Sequence, residues 1–319
     1  MTDLKLPSEA GLLGPGAVNR AIAAAAAEPP AGPVPGPAEA LRGASDARLQ
    51  AMAGWLESAQ LSGVPLLEMA EKHGVTVRFE PLSGLHGYYS PRRRMIGLDA
   101  TSRLSLESLT LTLAHELRHA WQHAEGLLPT AALAAADYIA AIRYIEADAK
   151  ATEAQLLAEI AQQPGGAEFA ARVHKPNTVD VIAVYNRAIE DDAEALSDGR
   201  ARWAAFEQWP APGAGRAQGY EKRAAEQYRA FVERGWAGNE RLALTRVSAL
   251  GQHGDDRNYI LDSVPGGRDP DSIFSDPFLR LLTEEGRELV RDFPATGPSA
   301  IALPKQAYEP RLPAGPGML

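Results

Sequence analysis

The sequence predicts a predominantly helical α+β fold, in which a small antiparallel sheet packs on a core of two long helices and a helical extension follows. Long stretches place apolar residues three and four positions apart, which is the pattern of amphipathic helices. One short segment alternates apolar and polar side chains, which indicates a half-buried strand. Two more short segments flank a turn, which indicates a β-hairpin. Few strands together with long helices give the α+β class.

The composition divides the chain into four predicted segments. Residues 1–43 are rich in alanine and proline, which favours a disordered tail. Residues 44–165 hold the sheet and the two long helices, and residues 166–293 form the helical extension. Residues 294–319 are rich in proline and are predicted to be irregular.

Two short helices are predicted at the start of the ordered part. Ser45 and Asp46 are residue types that cap a helix N-terminus, and they precede an apolar stripe formed by Leu49, Met52, Trp55 and Leu56. A second helix is predicted from Val64 to about His73. It ends at Gly74, because glycine is favoured just past a helix C-terminus.

The strands are predicted from the segment that follows. Val75–Phe79 alternates apolar and polar residues, and Gly87–Ser90 with Met95–Asp99 flank the turn Pro91–Arg94 as an antiparallel hairpin. The three arginines of this turn are typical of a solvated hairpin tip, and less often they mark a site for an acidic partner.

Two long helices come next. The first contains an apolar stripe and is capped by Ser105, or by Ser102 one turn earlier, with Glu107 in its first turn. The second extends from about Thr130 to Gln162 and is rich in alanine, leucine and glutamate. Helical patterns return at residues 179–209, 220–236 and 276–291.

Charge and composition exclude several classes of function. The net charge is −9, so the chain has no basic surplus with which to bind nucleic acid or an anionic membrane. The absence of cysteine excludes disulfides and thiolate metal ligands. No secretory leader and no membrane-spanning segment is evident, so a soluble cytoplasmic protein is predicted, and export without a cleavable leader remains compatible with the sequence.

The first long helix carries the pattern His-Glu-x-x-His at His115, Glu116 and His119. Histidines four positions apart lie on one helix face about 6 Å apart along the axis, so both imidazoles can bind one Zn²⁺. The ion lowers the pKa of its water to about 7, and Glu116 is the natural base for that metal-activated water. The pattern therefore predicts a metal-dependent hydrolase.

A hydrolytic zinc site needs a third protein ligand. His123 repeats the four-residue spacing, but it lies about 12 Å along the axis from His115, too far for one ion on a straight helix. The second long helix, packed antiparallel against the first, is the better source. Glu146 is the preferred ligand, because small residues around it allow a close approach of the helices, and Asp137 and Glu153 remain alternatives.

These residues also carry a family resemblance. The sequence HELRHAWQ at His115–Gln122, followed by EADA at Glu146–Ala149, resembles the gluzincin branch of zinc metallopeptidases. In particular it is similar to an uncharacterised family of bacterial metallopeptidase-like proteins with an ExDA motif. The resemblance covers about residues 45–162 and implies that residues 44–165 form a minimal zincin-like metallopeptidase domain.

The resemblance also assigns roles to residues. It implies that His115, His119 and Glu146 bind zinc and that Glu116 is the general base. Larger members have an aspartate four residues after the ligand glutamate, where this chain has Lys150. The support that this aspartate gives must then come from elsewhere, and Asp148 is the candidate.

A peptide-binding strand is the last feature that the resemblance implies. A strand beside the motif helix would hold an extended peptide along its free edge, and Gly87–Ser90 or Met95–Asp99 could serve. A donor for the developing oxyanion is also needed. The candidates are Tyr88, Tyr89, Tyr144 and His86.

The predicted function is hydrolysis of peptide bonds by a zinc-dependent metalloendopeptidase, with a peptide or protein substrate as its partner. One alternative is a catalytically inactive, metal-binding regulatory or protein-interaction module on the same scaffold. Another is hydrolysis of a non-peptide amide. Glu116 favours an enzyme, because a degenerate scaffold has no need to keep a general base beside intact ligands.

Overall fold

The computed structural model describes residues 46–175, 178–210, 216–253 and 257–262, together with Arg291 and Phe293. The predicted tails, residues 1–43 and 294–319, lie outside the described residues. So does nearly all of the helix predicted at residues 276–291. Two compact units are present, and each is described by itself.

The first unit comprises, among the described residues, 46–125 and 156–175. Its elements are α1 (Ala47–Ser58), α2 (Gly63–Lys72), β1 (Thr76–Glu80), β2 (Gly87–Ser90), β3 (Met95–Asp99), α3 (Leu106–Ala124), the last residues of α4 (Ala135–Ala161) and α5 (Gly166–Arg172). Helices α1 and α2 and strands β2 and β3 all pack on α3. The long motif helix is therefore at the centre of this unit.

The first two helices form as the sequence predicts. Asp46 caps α1, since its side chain accepts a hydrogen bond from the Arg48 backbone N–H at 2.9 Å. Gly74 follows α2 with φ +62°, a left-handed conformation that glycine adopts without steric cost. The apolar face of α1 is buried through Leu49, Met52, Ala53 and Leu56.

The sheet is mixed, so the prediction of a purely antiparallel sheet is wrong. The hairpin is confirmed, because β2 pairs antiparallel with β3. However, β1 pairs parallel with β3, and the strand order is β1-β3-β2. The chain reverses twice between β1 and β3, so the two strands run in the same direction and become parallel once they are neighbours.

Burial explains why β3 takes the central position. All five of its residues are buried, whereas β1 and β2 are partly exposed. Gly97 lies in the middle of β3, and a Cβ there would come within 2.5 Å of both Glu80 Oε1 and Tyr88 Cε1. A glycine therefore lets the side chains of both flanking strands close over the middle of β3.

The second unit comprises, among the described residues, 126–155 and those from Thr178 onward. Its elements are most of α4, α6 (Val179–Asp191), α7 (Ala195–Asp198), α8 (Arg200–Gln208), α9 (Arg216–Glu233), α10 (Leu244–Ala249), β4 (Gln252–His253), β5 (Arg257–Asn258) and α11 (Tyr259–Asp262). The helix predicted at residues 179–209 is broken, and one break is Gly199 with φ +89°.

Helix α4 begins at Ala135, later than predicted, because the residues before it pair as extended chain. The backbone N–H groups of Gly238 and Glu240 donate to the carbonyls of Ala131 and Ala132 at 2.7 and 2.8 Å. A Cβ at Gly238 would lie 2.1 Å from the Ala132 carbonyl oxygen, so only glycine allows this approach. Once started, α4 is buried along nearly its whole length.

Across the described residues, no helix combines the length and the apolar character needed to cross a membrane.

Candidate metal centre

The motif helix α3 is fixed at its N-terminus by Ser105, one of the two predicted caps. Ser105 Oγ accepts a hydrogen bond from the Ser108 backbone N–H at 3.1 Å and donates one to the Arg172 carbonyl at 2.8 Å. Ten residues along the same helix, the His115 and Glu116 side chains are 6 % and 8 % exposed. A capped and buried helix therefore holds the motif residues in a rigid position.

The two motif histidines face each other. His115 Nε2 and His119 Nε2 are 3.0 Å apart, and the ring centroids are 4.5 Å apart with the planes at 90°. Two nitrogens bound to one tetrahedral zinc ion lie about 3.3 Å apart, given Zn–N bonds of about 2.0–2.1 Å. The pair thus fits the donor spacing that one divalent ion requires.

Gln122 determines which nitrogen of His119 is available. Its side-chain Oε1 lies 2.7 Å from His119 Nδ1. Because an amide oxygen can only accept a hydrogen bond, Nδ1 carries the proton and Nε2 presents its lone pair toward His115. No role was predicted for Gln122 from the sequence. The three-residue spacing from His119 was the signal that could have identified it.

Glu146 on helix α4 completes a three-residue cluster. Within the part of the chain that the structure describes, His115, His119 and Glu146 form a group that could hold a metal ion, with one ligand atom from each within 4.8 Å of the others. Glu146 is 9 % exposed. Two imidazoles and one carboxylate are the donor set of a known class of hydrolytic zinc sites.

The two alternative carboxylates lie elsewhere. Asp137 is fully buried, and its Oδ1 accepts a hydrogen bond from the Leu242 backbone N–H at 3.2 Å. Glu153 forms an ion pair with Lys150, one turn earlier on the same helix. Neither belongs to the three-residue cluster.

Glu116 lies where strand β2 meets helix α3. A Cβ built on Gly87 would be 3.4 Å from Glu116 Cγ and 2.8 Å from Thr112 Cγ2. The start of β2 can approach the helix this closely only because residue 87 has no side chain. The main chain of β2 therefore passes directly beside the candidate base.

Strand β2 is also an edge strand, because β3 lies between it and β1. The Asp99 N–H donates to the His86 carbonyl at 3.0 Å, so these opposed residues form a hydrogen-bonded pair. Such pairs alternate in antiparallel strands, which turns the main-chain groups of Gly87 and Tyr89 away from β3. Of the two candidate peptide-binding strands, Gly87–Ser90 is the one at an edge, whereas Met95–Asp99 is central.

The two tyrosines of β2 point to opposite faces of the sheet. Tyr88 lies on the sheet face that points away from α3, and its hydroxyl donates a hydrogen bond to Glu80. Burial, and to a lesser extent this hydrogen bond, raises the pKa of Tyr88 to about 12. Tyr89 faces α3, where its hydroxyl lies 2.9 Å from His123 Nδ1, and burial raises its pKa to about 12. Of the two tyrosines in β2, Tyr89 is therefore the one on the sheet face that packs against the motif helix.

The remaining predicted polar residues have other surroundings. Burial, and then the charges of Arg94 and His73, lower the pKa of His123, which is not part of the three-residue cluster. Tyr144 is buried and stacks on Phe206 with ring centroids 6.3 Å apart. His86, the fourth candidate for the oxyanion donor, has its Nδ1 3.4 Å from the Ser102 hydroxyl oxygen.

Asp148, two residues after Glu146, is bound by two residues that the sequence analysis missed. Arg202 Nη2 lies 3.1 Å from Asp148 Oδ1, and the Tyr259 hydroxyl donates to the same oxygen at 2.9 Å. Arg202 also donates to the side chains of Thr152 and Gln155 at 2.6 and 3.2 Å. One buried guanidinium therefore contacts three residues of α4, beginning one half-turn beyond Glu146.

Comparison with known proteins gives a single finding. A family model described as "Putative metallopeptidase family (DUF6782)" matches residues 24–260, which is most of the chain and includes every residue of the cluster. No curated protein and no solved structure gives a significant match.

Proposed function

Because the chain belongs to this putative metallopeptidase family, and because His115, His119 and Glu146 form a cluster beside Glu116, we propose that it is a zinc-dependent metalloendopeptidase of the gluzincin type. The observation that carries the proposal is the cluster of two imidazoles and one carboxylate within 4.8 Å. The proposed metal ligands are these three residues, and the proposed general base is Glu116.

The proposed ligands fit zinc by their chemistry as well as by their spacing. The chain has no cysteine, so a site made from histidine and carboxylate is the form open to it. Gln122 holds His119 in the tautomer that leaves Nε2 unprotonated, the state in which imidazole binds a metal. When bound, zinc would polarise the scissile carbonyl and acidify a water molecule.

The protein's own groups carry the proton transfers of the proposed reaction. Glu116 would accept the proton of the attacking water at a carboxylate oxygen, and it would then give that proton to the amine that leaves. Burial of Glu116 to 8 % exposure limits its motion between these two steps. Tyr89, on the same face as the motif helix, is the candidate donor to the developing oxyanion.

The proposed substrate is an extended peptide paired with strand β2. The main-chain groups of Gly87 and Tyr89 point away from β3, and together they can form the hydrogen bonds of an added strand. Gly87 lies against Glu116, so the scissile bond would lie at the beginning of this strand.

Metal analysis of the purified full chain tests the proposed ligands. Wild type should hold one zinc ion per chain, and the variants His119→Ala and Glu146→Gln should hold little. Glu153→Gln is the matched control, because it makes the same chemical change on the same helix. Circular dichroism checks that each variant is folded. A folded Glu146→Gln protein with full zinc content would remove Glu146 from the ligand set.

A second variant separates catalysis from metal binding. Glu116→Gln should keep its zinc and lose peptide hydrolysis by about 10²–10⁴-fold, the usual contribution of a positioned general base. Undiminished hydrolysis would remove the assignment of the base. Zinc bound by wild type without cleavage of any peptide in a broad library would instead support an inactive metal-binding module.

A further inference from the structure

The turn that ends strand β2 carries three consecutive arginines, Arg92–Arg94. We propose that this turn is a specificity subsite, which selects peptides with aspartate or glutamate four to six residues from the scissile bond. The inference rests on the proposed function, because it names the class of peptide that the same site would cleave.

The first step of the argument is the direction of the strand. Its first residue, Gly87, lies against Glu116, and its last residue, Ser90, leads into the turn. A peptide paired with β2 and cut beside Gly87 must therefore extend toward the arginines on one side of the cut. At about 3.4 Å per residue, the turn lies roughly 14–20 Å from the reacting bond, which is four to six residues.

The second step is the surroundings of the arginines. The whole turn is exposed to solvent. Arg93 has no carboxylate partner among the residues that the structure describes. Arg94 Nη1 donates to the carbonyl of His73 at 3.3 Å, a contact that does not neutralise its charge. Arg93 thus presents an exposed positive charge at this turn, in a chain whose net charge is −9.

The third step is the conformation of Arg94. Its φ is +47°, in the left-handed region, where a residue with a side chain costs about 1–2 kcal/mol. Glycine or asparagine would form the same turn at lower cost. The guanidinium of Arg94 also acts on the neighbouring edge strand, because its charge opposes the effect of burial on the pKa of Tyr89. The chain thus has a cationic side chain at a position where the backbone conformation favours glycine.

The occupant that fits this arrangement is the acidic side chain of a bound peptide. An extended peptide brings its side chains past the turn, and an aspartate or glutamate there would be attracted by the exposed guanidinium of Arg93. Each exposed pair of charges changes binding modestly, so about a two- to fivefold effect is expected for each acidic residue. Salt should weaken this effect, because the charges are in contact with solvent.

The test uses the zinc-loaded full chain and a peptide library blocked at both ends, so that terminal carboxylates cannot contribute. Mass spectrometry of the products should show acidic residues enriched four to six positions from the cleaved bond on one side. Matched peptides with glutamate or glutamine at that position should differ two- to fivefold in kcat/KM. Most of the difference should be in KM, and it should fall at high salt.

Two variants complete the test. Arg93→Glu should reverse the preference for glutamate over glutamine. Arg103→Glu, an exposed arginine outside the hairpin, should leave it unchanged. If wild type cleaves but shows no acidic enrichment, or if Arg93→Glu keeps the wild-type preference, the subsite is refuted and the peptidase remains. If wild type cleaves no peptide, the proposed function fails and the subsite fails with it.

Discussion

Helices α3 and α4 both bury polar side chains, but the hydrogen-bond and ion-pair partners of these side chains lie at very different distances along the sequence. In α3 the cap and the motif have local partners, since Ser105 accepts a hydrogen bond from the Ser108 backbone N–H and His119 is held by Gln122. Remote contacts are added at the helix start, where Ser105 donates to the Arg172 carbonyl and the Ser108 side chain accepts from the His174 N–H. In α4 the partners are remote: Asp148 is bound by Arg202 and Tyr259. The comparison teaches that one half of the candidate site is ordered by its own helix, whereas the other half depends on residues that follow much later.

The number of buried charges sharpens this contrast. Along α4, six carboxylate or guanidinium side chains are less than one-tenth exposed: Asp137, Arg143, Glu146, Asp148, Glu153 and Glu159. Two of them form buried ion pairs with later helices, Arg143 with Glu221 and Asp148 with Arg202. A buried charge without its partner is costly, so these distant residues stabilise α4 in its buried position.

The largest effect should follow from removing such a distant partner. Arg202→Met would leave the carboxylate of Asp148 buried without its cation, and the free energy of unfolding should fall by about 3–5 kcal/mol. The control is Arg200→Met on the same helix, whose ion pairs with Asp192 and Asp198 are exposed to solvent and should contribute little to stability. Chemical denaturation measures both. Equal losses in the two variants would contradict the dependence of α4 on remote partners.

A smaller effect is expected from the local partner on α3. Gln122→Ala should leave the fold intact and weaken zinc affinity by about 10–100-fold, since His119 would lose the group that orients it. Gln162→Ala, which removes only a contact with a backbone carbonyl at the end of α4, is the control. Competition with a zinc chelator gives the affinities. An unchanged affinity for Gln122→Ala would show that the tautomer of His119 needs no help from its own helix.

The cap of α3 should make a still smaller contribution, in this case to the free energy of unfolding. Ser105→Ala removes the acceptor for the Ser108 backbone N–H, and a loss of about 1 kcal/mol in the free energy of unfolding is expected. Ser102→Ala is the control, because Ser102 precedes the helix without capping it. Thermal unfolding under identical conditions compares the two, and a larger loss for Ser102→Ala would place the helix start elsewhere.

The smallest expected effect is a difference in pKa between two buried tyrosines, one beside each helix. Burial raises the pKa of Tyr89, beside α3, to about 12, and it raises the pKa of Tyr138, on α4, further still. Folding favours the protonated form, so this stability is complete below pH 10 and is lost as the pH rises through the raised values. Ultraviolet difference spectra of Tyr89→Phe and Tyr138→Phe should show Tyr89 ionising first, and the reverse order would contradict the deeper burial on α4.

The same difference between local and remote contacts separates the features that the sequence could predict from those that it could not. The starts of α1 and α3 and the hairpin depend on neighbours within a few positions. The hairpin is confirmed, and each helix begins at one of its two predicted caps, Asp46 and Ser105. The position of β1 depends on which strand is buried on both faces, a property of the assembled sheet, and its antiparallel pairing was predicted wrongly. A local pattern carries no information on such a choice.

The site divides in the same way. The motif on α3 identified two histidines and a glutamate, and the cluster now includes Glu146, which the sequence favoured without excluding Asp137 and Glu153. Arg202 and Tyr259 could not have been found, because they lie 54 and 111 positions from Asp148. No periodicity in one sequence links residues at that distance.

The burial of α4 along nearly all of its length limits how this protein can diverge. One inserted or deleted residue within the helix would rotate everything after it by about 100°, since an α-helix has 3.6 residues per turn. Asp148, Thr152 and Gln155, which all contact Arg202, would then turn away from it together. Relatives should therefore vary in length at the exposed hairpin tip, and hardly ever between Glu146 and Gln155.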